Sequence, residues 1–325
     1  MRRTSKLTAL ALSVILMLSL AACGSASGGK TDDGYTVGIC QLVQHSAHDE
    51  ATRGFVDALN AALPGQVTIQ SQTASNDINA CSGIVNQYIA EEVDLILANA
   101  TPALQIASAA TDKIPILGTS ITDYAAALGL KAFNGTVGGN ISGTSDLAPL
   151  DKQAAMVREW FPNAKSIGLL YCSSEANSQH QVDAVSAALK DMGYACKSYA
   201  FTDSNDLTLV LQDAVVNCDV IYVPTDNTVA TNSSIIDNIC RAEKVPVIGG
   251  EKGICSSCAV ATLTISYYDI GYVTGEMAAK ILTGEAEISE MPIAYAGYTS
   301  MYNPEICADL GLTPPSDAYI PIDAD

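Results

Sequence analysis

The chain has 325 residues, of which 48% are hydrophobic, so it is long enough to form about two domains with sizeable cores. Its formal net charge of −19 argues against nucleic acid as a partner, because phosphate recognition needs a concentration of basic residues. The acidic balance identifies no ligand, since a high net charge mainly keeps a protein soluble.

The first 22 residues have the features of a secretory signal, with a basic start and the apolar run LTALALSVILMLSL. The run ends in LAAC, residues 20–23, which resembles the cleavage site of bacterial lipoproteins. We therefore expect a lipoprotein signal peptide over 1–22, a lipid such as palmitate on Cys23 and a flexible tether over 23–34. An ordinary signal peptide that contains a cysteine is the alternative.

Short apolar strands alternate with amphipathic helices over residues 35–290. The segments YTVGICQLV, QVTIQSQ, VDLILANA and IPILGTS predict strands, and helices are predicted to begin near Ala47, Asn79 and Pro102. This alternation predicts an α/β fold, with parallel sheet and helices on both faces.

The same series recurs in the second part of the chain at an offset of about 130 residues. YTVGICQLV is echoed by KSIGLLYCS, the SND at Ser75 by the SND at Ser204, VDLILANATP by CDVIYVPTDN, and IPILGTS by VPVIGGE. Generic similarity between α/β segments is the alternative, but the constant order favours two similar lobes, each a doubly wound parallel sheet. The join falls in the glycine- and serine-rich segment 133–149, which favours a hinge.

Polar residues follow the apolar strands of both lobes. Ligands of open parallel α/β sheets bind beyond the carboxyl ends of the strands, so two facing lobes would bring these residues to one cleft. Helices begin at the same points, and their free N–H groups favour an anion such as a carboxylate. No Arg or Lys stands at these strand ends before Lys252, which favours a zwitterion over a phosphorylated ligand.

The candidate ligand-binding residues come from these strand ends and from the join. They are Gln41, His45, Thr101, Gln105, Ser120, Thr122, Asp146, Glu175, Asn177, Ser178, Asp226 and Asn227. Each of them alone could instead be a helix N-cap, so the prediction rests on the set.

The three histidines raise the question of a metal. His45 and His48 are three residues apart and would share a helix face, and His180 begins the matching helix of the second lobe. A metal between the lobes is one interpretation. We favour exposed helix residues near the cleft and expect no metal, because no acidic cluster of fixed spacing accompanies the histidines.

Catalysis and cofactors find little support in the sequence. It contains no GxSxG, HExxH or Walker motif and no GxGxxG before a helix, so we expect neither an enzyme nor a cofactor.

Nine cysteines remain when Cys23 is assigned to the lipid. The CSSC motif at Cys255 and Cys258 could form a local disulfide or half of a zinc site, but no second CxxC accompanies it. Others, such as Cys40 and Cys218, lie in apolar strands, and we expect them to be small buried residues.

The chain resembles the substrate-binding lipoproteins of ABC importers, in the group that includes tryptophan- and tyrosine-binding members. The resemblance covers roughly residues 35–312 and is carried by GICQLVQHSAHDEATRGF, ANATPALQIASAATDKIPILGTSITD, GTSDLAP, NAKSIGLLYCSSEANS, YVPTDNTVA and SYYDIGYVTGEMAAKILTG. It implies a type I periplasmic binding protein fold with three crossovers. Lobe 1 would comprise 35–143 with 266–290, and lobe 2 would comprise 144–265 with 291–325.

The resemblance also implies a function and roles for residues. The protein would be a monomer, lipid-anchored on the extracytoplasmic face of the cell membrane, and would pass a small zwitterion, best an aromatic amino acid, to an ABC permease and its ATPase. Thr101, Ser120 and Thr122 would bind the ligand carboxylate, and Asn177 and Ser178 would close from the other lobe.

The same resemblance implies that Asp226 binds the ligand ammonium, with Asp146 as the second choice. Tyr267, like Tyr124 and Tyr171, could contact an aromatic ring or belong to the core.

Two departures from the group leave the ligand open. This chain has QHSAHD where members often carry Glu-His-Pro-Ala-Leu-Asp, and TASND lacks the usual Gly before Asp. Sugars, nucleosides and other amino acids remain alternatives, as does a surface sensor or adhesin with the same fold; a secreted hydrolase is disfavoured by the missing nucleophile motif.

Overall fold

The computed structural model describes residues 34–322. The expected signal peptide, the lipid on Cys23 and the tether up to residue 33 lie outside the described residues. Within 34–322, the structure contains no helix that is both long and apolar enough to cross a membrane.

Strands and helices alternate through the first half of the described chain. The elements are β1 (Tyr35–Gln41), α1 (Ser46–Ala62), β2 (Val67–Thr73), α2 (Ile78–Ala90), β3 (Leu95–Asn99), α3 (Thr101–Ala110), β4 (Ile116–Ile121), α4 (Tyr124–Leu128) and β5 (Ile141–Ser145).

The alternation continues in the second half. The elements are α5 (Leu150–Trp160), β6 (Ser166–Cys172), α6 (Ala176–Asp191), β7 (Ala195–Phe201), α7 (Ser204–Asn217), β8 (Val220–Val223), α8 (Asn227–Thr231), α9 (Ser233–Glu243), β9 (Val247–Gly249), α10 (Lys252–Cys258) and β10 (Ala261–Ile265). A long helix and short elements close the fold: α11 (Tyr267–Leu282), a 3₁₀ turn (Ile288–Glu290), β11 (Ala294–Tyr295), β12 (Tyr298–Tyr302), α12 (Pro304–Leu310) and β13 (Ile320–Pro321).

The strands form two separate sheets. The first has the order β11-β5-β4-β3-β1-β2 and the second the order β13-β12-β10-β9-β8-β6-β7. All neighbours pair in parallel except β10 and β12, which are antiparallel. Apolar clusters cover both sheets, so the predicted α/β fold with two similar lobes is confirmed. We call the part around the first sheet lobe 1 and the part around the second sheet lobe 2.

The chain passes between the lobes three times: after β5, between β10 and α11, and between β11 and β12. Two boundaries differ from the expected ones. Lobe 1 extends through strand β5 to Ser145, two residues beyond the expected boundary at 143. Strand β11 also belongs to lobe 1, whereas residues 291–325 were all expected in lobe 2. The reason is pairing, because Ala294 and Tyr295 add a parallel edge to Thr144 and Ser145.

An aspartate explains part of the internal repeat. In lobe 1, the Asp94 carboxylate accepts a hydrogen bond from the backbone N–H of Thr36 at 2.8 Å. In lobe 2, Asp219 accepts one from the N–H of Ser166 at 2.9 Å. The aspartate before the third strand of each lobe therefore holds the start of the first strand, at the positions that the repeat pairs.

The shared SND is not structurally equivalent in the two lobes. Asp77, its last residue in lobe 1, is the N-cap of α2 and accepts from the N–H groups of Asn79 and Ala80. In lobe 2 the corresponding cap is Asp203, so the SND at Ser204 forms the first turn of α7 instead. An N-cap needs only one aspartate directly before the helix. The two SND tripeptides therefore match in sequence but occupy different positions relative to their helices.

Helices α1 and α11 pack against each other along a seam of glycines. A β-carbon at Gly271 would lie 2.0 Å from the carbonyl oxygen of Ala51, and one at Gly54 would lie 2.1 Å from the carbonyl oxygen of Tyr268. The two backbones thus come too close for any side chain. This contact fixes α11, which follows the second crossover, onto lobe 1.

We expect Gly271→Ala to lower the free energy of unfolding by about 1–3 kcal/mol, because the added methyl overpacks the seam. Gly83→Ala is the matched control, since Gly83 is exposed in α2 with nothing within 4 Å of an added β-carbon. There the better helix propensity of alanine should stabilise the protein by up to about 1 kcal/mol. Urea denaturation measures both, and equal effects would show that the seam is not tight.

Candidate functional site

A small cavity lies between the lobes, beyond the carboxyl ends of the strands. It is lined by His45, His48, Ser120, Thr122, Asp146, Asn177, Thr225, Asp226, Asn227, Ala230, Glu251 and Tyr267. The predicted candidates among these are His45, Ser120, Thr122, Asp146, Asn177, Asp226, Asn227 and Tyr267. The structure thus brings residues of both lobes and of the first crossover to one place.

Four lining residues are not among the candidate binding residues given above: His48, Thr225, Ala230 and Glu251. Thr225 and Glu251 follow β8 and β9, so the strand-end rule covers them. The Glu251 carboxylate also caps α10 by accepting from Gly253 and Ile254, and burial raises its pKa to about 7. Ala230 is an apolar residue inside α8, and nothing in the sequence indicates that it lines a cavity.

Gln41 and Gln105 were predicted to bind ligand, and the structure commits both amides to the protein. Gln41 donates to the carbonyl of Val43 at 3.0 Å and to Asp49 at 2.7 Å. Gln105 donates to the carbonyl of Ala127 at 2.9 Å. These side chains hold the loops around the cleft and do not line the cavity, so ligand binding by either of them stays a prediction that these contacts do not favour.

Glu175 likewise holds the protein together. Its carboxylate accepts from the backbone N–H and the side-chain amide of Asn227, at 3.0 and 2.7 Å. It also accepts from the N–H and hydroxyl of Thr228, at 2.9 and 2.8 Å. The start of α8 is thus already paired with an anion and offers no site for a ligand carboxylate, contrary to expectation.

Ser178 and Thr101 do not line the cavity either. The Ser178 hydroxyl lies 3.3 Å from the amide nitrogen of Asn177. Thr101 is the first residue of α3, whose N-cap Ala100 supplies no side-chain hydrogen bond, and its buried hydroxyl has no protein partner. The start of α3 therefore has fewer side-chain hydrogen-bond partners than the start of α8.

The strand ends of lobe 1 carry strained backbone. Ser120 has φ +56° within β4, where the pairing with β5 shifts register, and Ala100 has φ +99°. Such conformations cost about 1–3 kcal/mol each for residues other than glycine and concentrate at functional sites. The strain accompanies a buried Ser120 hydroxyl that lines the cavity and has no hydrogen-bond partner in the protein.

Asp146 lies in the first crossover and is only 5% exposed. One carboxylate oxygen accepts from the Tyr267 hydroxyl at 3.0 Å, and the other is buried without a protein partner. Burial raises the pKa of Asp146 to about 6, although the hydrogen bond from Tyr267 counteracts it. At neutral pH the side chain is thus an ionised carboxylate with one unpaired oxygen, which suits a ligand ammonium.

Asp226 was the first choice for the ammonium, and the structure favours Asp146 over it. Both Asp226 oxygens are taken, one by the N–H of Cys172 at 2.7 Å and the other by the N–H of Val229 at 2.8 Å. Burial, followed by the nearby charge of Glu175, raises the pKa of Asp226 to about 8. It is therefore mainly protonated at neutral pH and acts as the cap of α8.

The His45 and His48 rings contact each other with centroids 3.9 Å apart and their planes tilted by 36°. Burial lowers the pKa of His45 to about 4 and that of His48 well below its ordinary value. Both imidazoles are neutral at physiological pH, and His48 is buried, not exposed as expected. Across residues 34–322, no group of three or more His, Cys, Asp or Glu side chains is arranged to hold a metal ion.

Direct contacts join the lobes across the cleft. The Asn76 amide of lobe 1 donates to the Thr228 hydroxyl of lobe 2 at 3.3 Å. His180 of lobe 2 lies 4.0 Å from the Asp123 carboxylate of lobe 1. These contacts hold the two faces of the cleft together.

Residues 36–318 match the family described as ABC transporter substrate binding protein. A protein of Clostridioides difficile (strain R20291) named tyrosine-binding protein is 34% identical over 306 residues, which cover 90% of this chain and 88% of that protein.

Two solved structures are similar over most of the chain. An ABC domain from Streptococcus pneumoniae in complex with L-Trp has a TM-score of 0.83 at 29% identity, covering 88% of this chain and 97% of that one. The ligand-free, open structure of a Clostridium difficile substrate binding protein with adhesive properties has a TM-score of 0.69 at 37% identity, covering 90% and 100%.

The present structure is thus more similar to the ligand-bound relative than to the open one, although its sequence is more similar to the latter. Together with the contacts across the cleft, this indicates a closed arrangement of the lobes. Proteins of this family capture solutes outside the cytoplasm and are not enzymes. On its sequence, its two-lobed fold and its closed cleft, the chain belongs to the substrate-binding proteins of ABC transporters.

Proposed function

We propose that this protein binds an aromatic amino acid in the cavity between its lobes and delivers it to an ABC permease and its ATPase. The observation that carries the proposal is the Asp146 carboxylate, with one oxygen held by Tyr267 and the other unpaired beside the cavity. A buried unpaired carboxylate oxygen is costly, and a ligand ammonium removes that cost.

A carboxylate on the same ligand finds donors in lobe 1. The buried Ser120 hydroxyl has no protein partner, and neither does Nε2 of His45, which donates in one tautomer of the neutral ring. The Asn177 amide oxygen, also without a partner, faces these groups from lobe 2 as an acceptor. Among residues 34–322, no lysine or arginine lines the cavity, so a zwitterion fits the described lining better than a phosphorylated ligand does.

Two observations support an aromatic side chain on the proposed ligand: the ligands named for the relatives, and the rings that line the cavity. One relative is named tyrosine-binding protein and another structure contains L-Trp. In this chain, the adjacent imidazoles of His45 and His48 and the ring of Tyr267 line the cavity. Such faces favour contact with an aromatic ring over an aliphatic chain.

The proposal includes a lipid on Cys23, which would hold a monomer at the outer face of the cell membrane through the tether. The motif LAAC and the small polar residues after it support this part. Mass spectrometry of the exported protein tests it directly, since an unmodified N-terminal peptide that contains Cys23 would contradict the anchor.

We expect Asp146→Asn to weaken binding of tyrosine, tryptophan or phenylalanine at least about tenfold, because the substitution removes the charge that pairs with the ligand ammonium. Calorimetric titration of the chain without its first 23 residues, refolded to remove bound ligand, measures the affinity. Thermal unfolding shows whether each variant is folded.

Asp226→Asn is the matched control, since it changes a second buried acid of the same cavity. We expect it to lower stability, because one backbone N–H loses its acceptor, but to leave the affinity of the folded protein within a few-fold of wild type. Loss of binding in Asp226→Asn with retention in Asp146→Asn would reverse the assignment. A wild-type protein that binds none of the three amino acids would contradict the ligand class and favour another solute or a sensor or adhesin role.

The affinity should also depend on pH. The pKa of Asp146 in the closed cleft is about 6, and an adjacent ammonium favours the ionised form, so binding lowers that pKa. Protons therefore compete with the ligand: affinity is steady above the pKa and falls by up to about tenfold per pH unit below it. Titrations from pH 5 to 8 check this, and the same decline in Asp146→Asn would assign it to another group.

A further inference from the structure

Two cysteines of lobe 1 face each other in the core. The sulfur of Cys40, in β1, lies 3.3 Å from the sulfur of Cys81, in α2, and both residues are 0% exposed. They are 41 positions apart in sequence and come from different elements, so the tertiary fold alone brings them together.

The surrounding packing holds this pair in place. A β-carbon at Gly38 would lie 2.6 Å from the ring of Tyr88, so α2 lies directly against β1 without intervening side-chain bulk. The Tyr88 hydroxyl donates to the carbonyls of Ile39 and Gln70, at 2.9 Å each. The strand and the helix are thus held against each other next to the two sulfurs.

Other thiols have different partners. Cys255 and Cys258, which share the CSSC motif, donate separately to the carbonyls of Ala259 and Ile254, at 3.4 and 3.3 Å. Cys307 donates to the carbonyl of Val260 at 3.6 Å. The local disulfide that the CSSC spacing suggested is therefore not favoured by the structure.

We propose that Cys40 and Cys81 form a disulfide in the exported protein. The inference rests on the sulfur–sulfur contact and on the family's extracytoplasmic location, where disulfides form and persist, and not on the ligand. A bond between the two residues would join β1 to α2 and enclose the loop that contains His45, α1 and β2. Constraining that loop disfavours the unfolded chain and so raises stability.

The oxidant is a protein disulfide of the extracytoplasmic thiol–disulfide oxidoreductase class. One cysteine thiolate attacks the oxidant disulfide and forms a mixed disulfide, and the second thiolate then displaces the oxidant as a dithiol. The two cysteines lose two protons and two electrons, and the oxidant gains both. Because both sulfurs are buried in the folded protein, the exchange occurs while lobe 1 is still folding.

Peptide mapping tests the bond. The full chain is exported by a bacterial host, purified without reductant, and denatured in the presence of iodoacetamide. We expect mass spectrometry to show the Cys40 and Cys81 peptides joined and lighter by two hydrogen atoms, with Cys255 and Cys258 alkylated. Quantitative alkylation of Cys40 and Cys81, or a bridge between either one and a different cysteine, would overturn the proposal.

Thermal unfolding with and without reductant gives an independent readout. Wild-type protein refolded with dithiothreitol should unfold several degrees lower than the oxidised protein, because the loop is no longer closed. Cys81→Ala should unfold at one temperature regardless of reductant, and Cys255→Ala, the matched control, should keep the wild-type response. A Cys255→Ala variant that no longer responds to reductant would place the bond elsewhere, and an unresponsive wild type would exclude it.

Discussion

The Asp146 carboxylate links the hinge to the cleft. It stands at the first crossover, and the Tyr267 hydroxyl that binds one of its oxygens belongs to the residue after the second crossover. In the closed form this charge is buried, and burial of a half-paired carboxylate is unfavourable. In the proposed complex, a ligand ammonium next to the second oxygen would compensate for this penalty in the closed form alone. This difference between the open and closed forms is what a ligand needs to shift the equilibrium between them.

The two lobes contribute unequally to the cleft. In lobe 2, Glu175 and Asp226 pair with the backbone at the start of α8, so much of that surface is satisfied within the protein. In lobe 1, the Ser120 hydroxyl is buried without a partner, on backbone held in a left-handed conformation. The buried polar groups without a partner that the proposed ligand would contact are therefore mainly those of lobe 1 and the first crossover.

The sequence was sufficient to predict the fold, because alternating strands and helices, an ordered repeat and short joins all point to two parallel α/β lobes. It placed β11 wrongly, since a strand of only Ala294 and Tyr295 has no periodicity to detect. The strand-end rule predicted where most cavity residues lie. It could not rank Asp146 above Asp226, because an aspartate before a helix looks the same whether its oxygens cap that helix or remain unpaired. That distinction depends on the Cys172 N–H and the Tyr267 hydroxyl, which lie far from these acids in sequence.

The prearranged surface of lobe 2 has a consequence for how new specificities would arise. Since Glu175 already fixes Asn227 and Thr228, lobe 2 presents the same face to any solute that lobe 1 accepts. Gene duplicates could then diverge in ligand by changing a few strand-end residues of lobe 1, while the covering lobe drifts only slowly. An engineer who wishes to build a biosensor for a chosen solute would diversify the loops after β1, β3 and β4 first and leave α8 untouched.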